Sequence, residues 1–299
     1  MRDFLEISTV GRDGLEAILE YASADLPKVL AGKGVALVFE KPSLRTRSSS
    51  EMAAVSLGAH PLYITDAEVG IDKRESAEDI SVVLAGYHSA IAARVFDHRV
   101  LERMAGSLRE AAVAVPVINL LSDRSHPCQA VADLLTIQQR FGGLQGVEIA
   151  YIGDSNNVAL SLAEAAALAG AKVRVASPEG YDFDAGTRDR LAGIGEVSFG
   201  EDPLQAARGA KVVYTDTWTS MGQEAEAAER RAVFGPRFQV NAALMSRAAD
   251  DAIFMHCLPA HRGEEVTDEV IDSPASLVYR QAANRMPAFK GILYWAVAG

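Results

Sequence analysis

Cysteine is nearly missing from this chain: Cys128 and Cys257 are the two among 299 residues. Neither belongs to a C-x-x-C pair and the six histidines are scattered. A disulfide framework and a metal-ligand cluster are therefore both unexpected, and a reducing cytoplasm fits best. No apolar run approaches the ~20 residues that cross a bilayer, so no membrane segment is expected. Met1-Arg2-Asp3-Phe4-Leu5-Glu6 lacks the charged-then-apolar pattern of a signal peptide. Positive charge is also scarce, with Lys+Arg 29 against Asp+Glu 40, a formal net charge of -11 and a pI of about 5.1. Nucleic acid is thus an improbable partner. The dinucleotide fingerprint needs three closely spaced glycines, and Ile149-Ala150-Tyr151-Ile152-Gly153-Asp154-Ser155-Asn156-Asn157 offers only Gly153. No cofactor is expected. In so acidic a chain, a cluster of arginines is informative.

What the sequence does contain is alternation. Compact apolar runs at 35–39, 61–64, 90–95, 115–118, 147–152, 172–176, 211–215 and 252–255, with a shorter one at 276–279, alternate with helix-like segments. This argues for an α/β protein of two domains, each an open parallel sheet flanked by helices. Gly142-Gly143-Leu144-Gln145-Gly146 punctuates the middle. The expected partition is 1–137, completed by a C-terminal helix at 285–299, and 138–284. Ligands of open parallel sheets sit beyond the carboxyl ends of the strands, so the active site is expected there, in the inter-domain cleft.

Phe39-Glu40-Lys41-Pro42-Ser43-Leu44-Arg45-Thr46-Arg47 joins a buried strand to a helix. Free N–H groups at such a turn favour an anion, and interleaved hydroxyls and guanidiniums supply donors for phosphate oxygens. Arg94 ends another strand. Ser125-His126-Pro127-Cys128-Gln129-Ala130 follows the next, with Pro127 placed to open a helix and Gln129 on the same turn as His126. Imidazole and primary amide suit a small carbonyl-amide ligand. Residues 68–78 read as a charged loop with Ser76 as a candidate N-cap. In the second half, Asp216-Thr217-Trp218-Thr219-Ser220-Met221-Gly222 follows a strand and suits an α-ammonium and an α-carboxylate. His256-Cys257-Leu258-Pro259 follows another. Adjacent strand residues point to opposite faces, so His256 and Cys257 are poorly placed to share a proton.

Ser43-Leu44-Arg45-Thr46-Arg47 resembles the Ser-Thr-Arg-Thr-Arg carbamoyl-phosphate motif of the transcarbamylases, and His126-Pro127-Cys128-Gln129 resembles their second signature. Ser220-Met221-Gly222 and His256-Cys257-Leu258-Pro259 are similar to the ornithine-type branch; aspartate-type members need cations in the first place and carry His-Pro-Leu-Pro in the second. The resemblance covers almost the whole chain. It implies transfer of a carbamoyl group from carbamoyl phosphate to the δ-amine of L-ornithine, giving L-citrulline and phosphate in arginine biosynthesis. It implies carbamoyl phosphate on Ser43, Leu44, Arg45, Thr46, Arg47, Arg94, His126, Gln129, Cys257, Leu258 and Arg285. Ornithine falls to Asn157, Asp216, Ser220 and Met221, and catalysis to Arg45, Arg94, His126 and Cys257. A cis Leu258–Pro259 bond, a homotrimer or multiple of trimers, and a 68–78 loop presenting Lys73 or Arg74 to a neighbouring subunit are implied as well. Leu44, Ser50 and Ala283 depart from the family pattern. A sister enzyme using putrescine, acetylornithine or aspartate, or a silent paralogue, are the competing readings.

Overall fold

The computed structural model describes residues 2–219 and 224–298, so Ser220, Met221 and Gly222 lie outside the described residues. The chain divides into two compact units, 1–135 with 283–299, and 136–282.

The first unit contains α1 (Gly11–Ser23), β1 (Gly34–Phe39), α2 (Leu44–Ser56), β2 (His60–Thr65), α3 (Asp66–Val69), α4 (Ala77–Ala85), β3 (His88–Arg94), α5 (His98–Glu110) and β4 (Val117–Leu121). All strand pairs are parallel, in the order β2-β1-β3-β4. β1 is buried along nearly its whole length, as a strand covered on both faces must be. β2 lies at the edge, is more exposed, and tolerates Pro61 there. From β1 the chain steps outward to β2 and then crosses to β3 on the other side. The topological switch therefore falls between β1 and β3, where Phe39 pairs with Arg94. α6 (Pro127–Phe141) carries the chain out of this unit.

The second unit contains β5 (Glu148–Ile152), α7 (Asn157–Leu168), β6 (Lys172–Ala176), α8 (Ala185–Ile194), β7 (Val197–Gly200), α9 (Pro203–Ala207), β8 (Val212–Thr215), α10 (Ala227–Phe234), α11 (Ala242–Met245), β9 (Ile253–His256) and α12 (Asp268–Ile271). Its sheet is again parallel, in the order β7-β6-β5-β8-β9. The switch lies between β5 and β8. Thr215 pairs with Ile152 on one side and His256 on the other. Residues just beyond these three are thereby set side by side.

The structure corrects three expectations. Residues 276–279 form no strand: Ser276 makes one isolated bridge to Phe254, and α13 (Val278–Ala298) starts two residues later. Asn284 and Arg285 consequently lie inside α13 instead of opening it. β7 escaped notice because a four-residue edge strand with alternating exposure presents no apolar run. The run at 115–118 begins as a strand only after Pro116, which has no N–H for the ladder.

α1 buries Leu15, Ile18, Leu19 and Ala22, a single helical face. α13 packs on it, with Tyr21 and Tyr294 edge-to-face at 4.8 Å. A methyl group at Gly291 would stand 2.5 Å from the Ile18 carbonyl oxygen and 2.8 Å from the Ala22 nitrogen. Neither backbone atom can rotate away. Gly291→Ala is thus expected to destabilise by ~1–3 kcal/mol, lowering Tm by ~2–4 °C for each of those kcal/mol. Scanning calorimetry checks this; an unchanged or raised Tm would contradict the packing.

Candidate active site

In the first unit the turn after β1 delivers a helix start. Ser43 is the N-cap of α2, accepting from the Thr46 N–H at 3.4 Å while its hydroxyl lies 3.0 Å from Thr46 Oγ1. Leu44 is the first helical residue and its side chain is 80% exposed, so only its backbone is presented. Thr46 is buried and Arg45 half-buried. Arg47 stands apart: its Nε donates to Glu51 Oε1 at 2.9 Å and its guanidinium lies 3.9 Å over the Tyr63 ring.

The remaining cations of the site are deeply placed. Arg94, at the end of β3, is 5% exposed. Glu40 brackets it, its backbone N–H donating to the Arg94 carbonyl at 2.9 Å and its Oε2 accepting from the Phe96 N–H at 2.7 Å. Burial pushes the Glu40 carboxyl upward from its ordinary range. Arg285 donates from Nη1 to Gln129 Oε1 at 2.5 Å and from Nη2 to Thr46 Oγ1 at 3.3 Å. Gln129 in turn donates from Nε2 to Asp133 Oδ1 at 2.8 Å. A carboxylate can only accept, so Asp133 fixes which end of the Gln129 amide faces Arg285.

His126 immediately precedes α6 and is buried. Burial is the main force holding its ring well below the ordinary imidazole range, helped by Arg285, Arg94 and Arg45; a hydrogen bond to the Leu120 backbone opposes them. The ring is therefore neutral at pH 7. Cys128 is a packing residue: its Sγ reaches the Asn119 carbonyl at 3.2 Å, and burial pushes its thiol up to about 12. Lys73 and Arg74 engage their own loop, through Asp66 at 3.3 Å and the Glu68 carbonyl at 3.1 Å.

In the second unit, Asp216 and Cys257 follow the paired ends of β8 and β9. Asp216 is 7% exposed, and Cys257 Sγ donates to its Oδ1 at 2.9 Å. Asn156 caps α7 with its side-chain oxygen and donates from Nδ2 to Asp216 Oδ2 at 3.0 Å. Asn157 is the first residue of that helix. Leu258–Pro259 is cis, and Leu258 has φ of 58°. The Leu258 N–H donates to His256 Nδ1 at 2.9 Å. His256 Nε2 meets Glu265 Oε1 at 3.1 Å, both groups fully buried. His256 and Cys257 thus face different partners.

Sequence reasoning missed Asp133, Asn156 and the His256–Glu265 pair. Asp133 carries a usable signal, its spacing of four from Gln129 along one helix. Glu265 carries none, because a loop returns it to β9. Folding also gathers metal-capable groups that linear spacing hid: Asp216 with His256 and Cys257, Glu6 with His98 and Glu102, and His261 with Glu264 and Glu265, each with donor atoms within 4.8 Å. The His256 ring nitrogens already meet Glu265 and the Leu258 N–H. Arg124 already bonds Glu6 and Glu102, at 3.0 and 2.8 Å. These arrangements read as hydrogen-bonded pairs and not as cation sites.

An anion cradle rich in guanidinium, with a neutral imidazole and a primary amide, defines the first unit as the donor-binding half of a group-transfer enzyme; a carboxylate and a thiol define the second as its acceptor half. Comparison with known proteins assigns a domain family to each unit. Residues 2–139 match the carbamoyl-P binding domain of aspartate/ornithine carbamoyltransferase, and residues 145–296 match its Asp/Orn binding domain. The chain is 47% identical over 297 residues to the ornithine carbamoyltransferase of Thermus thermophilus, covering 98% of this chain and 95% of that one. It is 48% identical over 277 residues to an anabolic ornithine carbamoyltransferase of Pyrococcus furiosus, covering 91% and 86%. A solved ornithine carbamoyltransferase from Pyrococcus furiosus superposes with a TM-score of 0.93 at 46% identity, covering 100% of this chain and 97% of that one. The chain belongs to the aspartate/ornithine carbamoyltransferase family.

The neutral His126 has a measurable consequence. Free imidazole titrates near ~6.5. Below that pH the unfolded chain takes up a proton that the folded protein refuses, so stability falls on acidification, by up to ~1.4 kcal/mol per pH unit from this ring. His126→Gln removes that contribution. Urea unfolding of both proteins between pH 7 and pH 5 should show the shallower dependence in the variant; equal slopes would contradict a neutral ring.

Proposed function

We propose that this protein transfers the carbamoyl group from carbamoyl phosphate to the δ-amine of L-ornithine, giving L-citrulline and phosphate in arginine biosynthesis. The observation that carries this reading is the setting of His126, kept uncharged among Arg45, Arg94 and Arg285 in a protein of net charge -11. So much concentrated positive charge suits a ligand that is anionic at the start and gains charge on its carbonyl oxygen in the transition state. Ser43, Leu44, Arg45, Thr46 and Arg47 bind the phosphate, with α2's free N–H groups as additional donors. Arg47 reaches it by leaving Glu51. Arg94, Arg285 and His126 hold the carbonyl oxygen, and Gln129 the carbamoyl nitrogen.

The acceptor amino acid is held by Asn157, Asp216, Ser220 and Met221, its α-ammonium on Asp216. Its δ-ammonium must lose a proton before attack. From a pKa of ~10.4 this costs ~4–5 kcal/mol at pH 7, which a desolvating site reduces. The C–N bond then forms, the bond from carbon to the bridging phosphate oxygen breaks, and inorganic phosphate leaves with the proton that the attacking nitrogen sheds. Cys257 and Leu258 line the reacting centre, where Cys257 aligns the amine. Carbamoyl phosphate is already an activated mixed anhydride, so neither a covalent enzyme intermediate nor a cofactor is needed. Putrescine, lacking an α-carboxylate and α-ammonium, would leave Asp216 and Ser220 without a use.

The same reading extends to a cytoplasmic homotrimer or multiple of trimers. None of the described helices is long and apolar enough to cross a membrane. Exposed Met52, Val55, Leu62, Val82, Val83 and Tyr87, all in the first unit, offer apolar surface for subunit contact. The loop bearing Lys73 and Arg74 is assigned to a neighbour's site.

Incubation with carbamoyl phosphate and ornithine should release citrulline and phosphate in equal amounts, with far less turnover on putrescine, acetylornithine or aspartate. Arg45→Ala should lower kcat/KM by ~10²-fold or more, the scale for losing one transition-state donor. Wild-type turnover in that variant, or a better acceptor in the panel, would overturn the assignment.

A further inference from the structure

We infer that Asn156, beyond capping a helix, is a positioning residue that fixes the Asp216 carboxylate before the acceptor arrives. The inference rests on the reading that Asp216 takes the acceptor's α-ammonium. A primary amide has one oxygen and one NH₂, and the surroundings of Asn156 leave no choice between them. Its Oδ1 accepts from the Val158 N–H at 2.9 Å and the Ala159 N–H at 3.1 Å, with the Tyr151 hydroxyl donating from 3.4 Å. Backbone N–H groups need an acceptor, so the amide cannot flip. Nδ2 is thereby aimed at Asp216 Oδ2, 3.0 Å away.

The other carboxylate oxygen is held too, by Cys257 Sγ at 2.9 Å. One donor comes from the cap of α7 and the other from the residue after β9, so rotation of the carboxylate would break one contact or both. About four acceptor positions exist on a carboxylate, and with one taken by each donor, the described residues leave about two for an ammonium, in a fixed plane. The flanks are tied down independently. The Asn156 N–H donates to the Asp154 carbonyl at 2.8 Å, and Arg230 Nη1 bonds both Asp154 Oδ2 at 2.7 Å and the Trp218 carbonyl at 2.8 Å. The rigidity of a helix terminus is in this way passed to a side chain on another strand.

Capping and positioning separate experimentally. Ser caps about as well as Asn but cannot reach Asp216 with a second group; Asp caps well and sets a carboxylate against a carboxylate. Asn156→Ser is expected to keep its Tm within a degree or two and its KM for carbamoyl phosphate. Its KM for ornithine should rise tenfold or more. Asn156→Asp should raise the ornithine KM further, again without loss of fold. A wild-type ornithine KM in Asn156→Ser would overturn the inference. So would a parallel loss of Tm and of both KM values, which marks a cap and nothing more. Asp216→Asn, measured alongside, distinguishes the two levels. If it leaves the ornithine KM unchanged, the reading of Asp216 fails and the inference with it. If it raises that KM while Asn156→Ser does not, the positioning role alone fails.

Discussion

Parallel strands all finish on the same edge of their sheet, and in each unit that edge is where the chemistry is assembled. The constraint does most of its work at the switch between inner strands, where helices leave in opposite directions and the strand ends stay uncovered. In the first unit it sets the loop after Phe39 beside Arg94. In the second, the pairing of Thr215 with Ile152 and His256 sets Gly153, Asp216 and Cys257 in one row. Residues more than a hundred positions apart become neighbours because of hydrogen-bonded register. No side chain has to find its partner unaided.

The two half-sites solve opposite electrostatic problems with similar means. The cradle must keep several guanidiniums buried in one place, and does so by giving them neutral or distant anionic company: Gln129 backed by Asp133, the hydroxyl of Thr46, and an uncharged His126. In the second unit the hydrogen bonds to Asp216 come from neutral donors, a thiol and an amide. A direct salt bridge to either set would cancel its charge. Arg230, near Asp154, is engaged by Asp154, Glu226 and the Trp218 carbonyl.

Much of the architecture could be read before any coordinates. β1 and β5 are nearly continuous apolar runs of strand length, and burial on both faces is what such runs require. Pro127 and Ser76 announce helix starts through their local chemistry, and both stand where helices begin. What stayed hidden depends on the third dimension. β7 holds its place by pairing with β6 and not by hydrophobicity. The start of α13 was hidden because 276–279 reads as a short strand, whereas the helix already begins at Val278. Arg47 shares a motif with Arg45, yet a helical spacing of four turns it toward Glu51. Asp133, Asn156 and Glu265 act on neighbours distant in sequence or one helical turn away, and a lone polar residue in a sequence does not disclose its partner.

The path of α13 bears on how the protein comes into being. Its start belongs with the second unit, where Gln281 bonds the His256 N–H and the Tyr214 hydroxyl, and the rest completes the first. Arg2 donates to the Ala296 carbonyl and Lys290 to that of Ala24. A ribosome delivers chains from the N-terminus, and domains ordinarily fold in that order. Here the earliest-made half lacks a wall, and its Arg285, until residues 283–298 have followed the second unit. A nascent chain must therefore carry an unfinished N-terminal half through synthesis of the entire second unit, with the underside of α1 waiting for its cover.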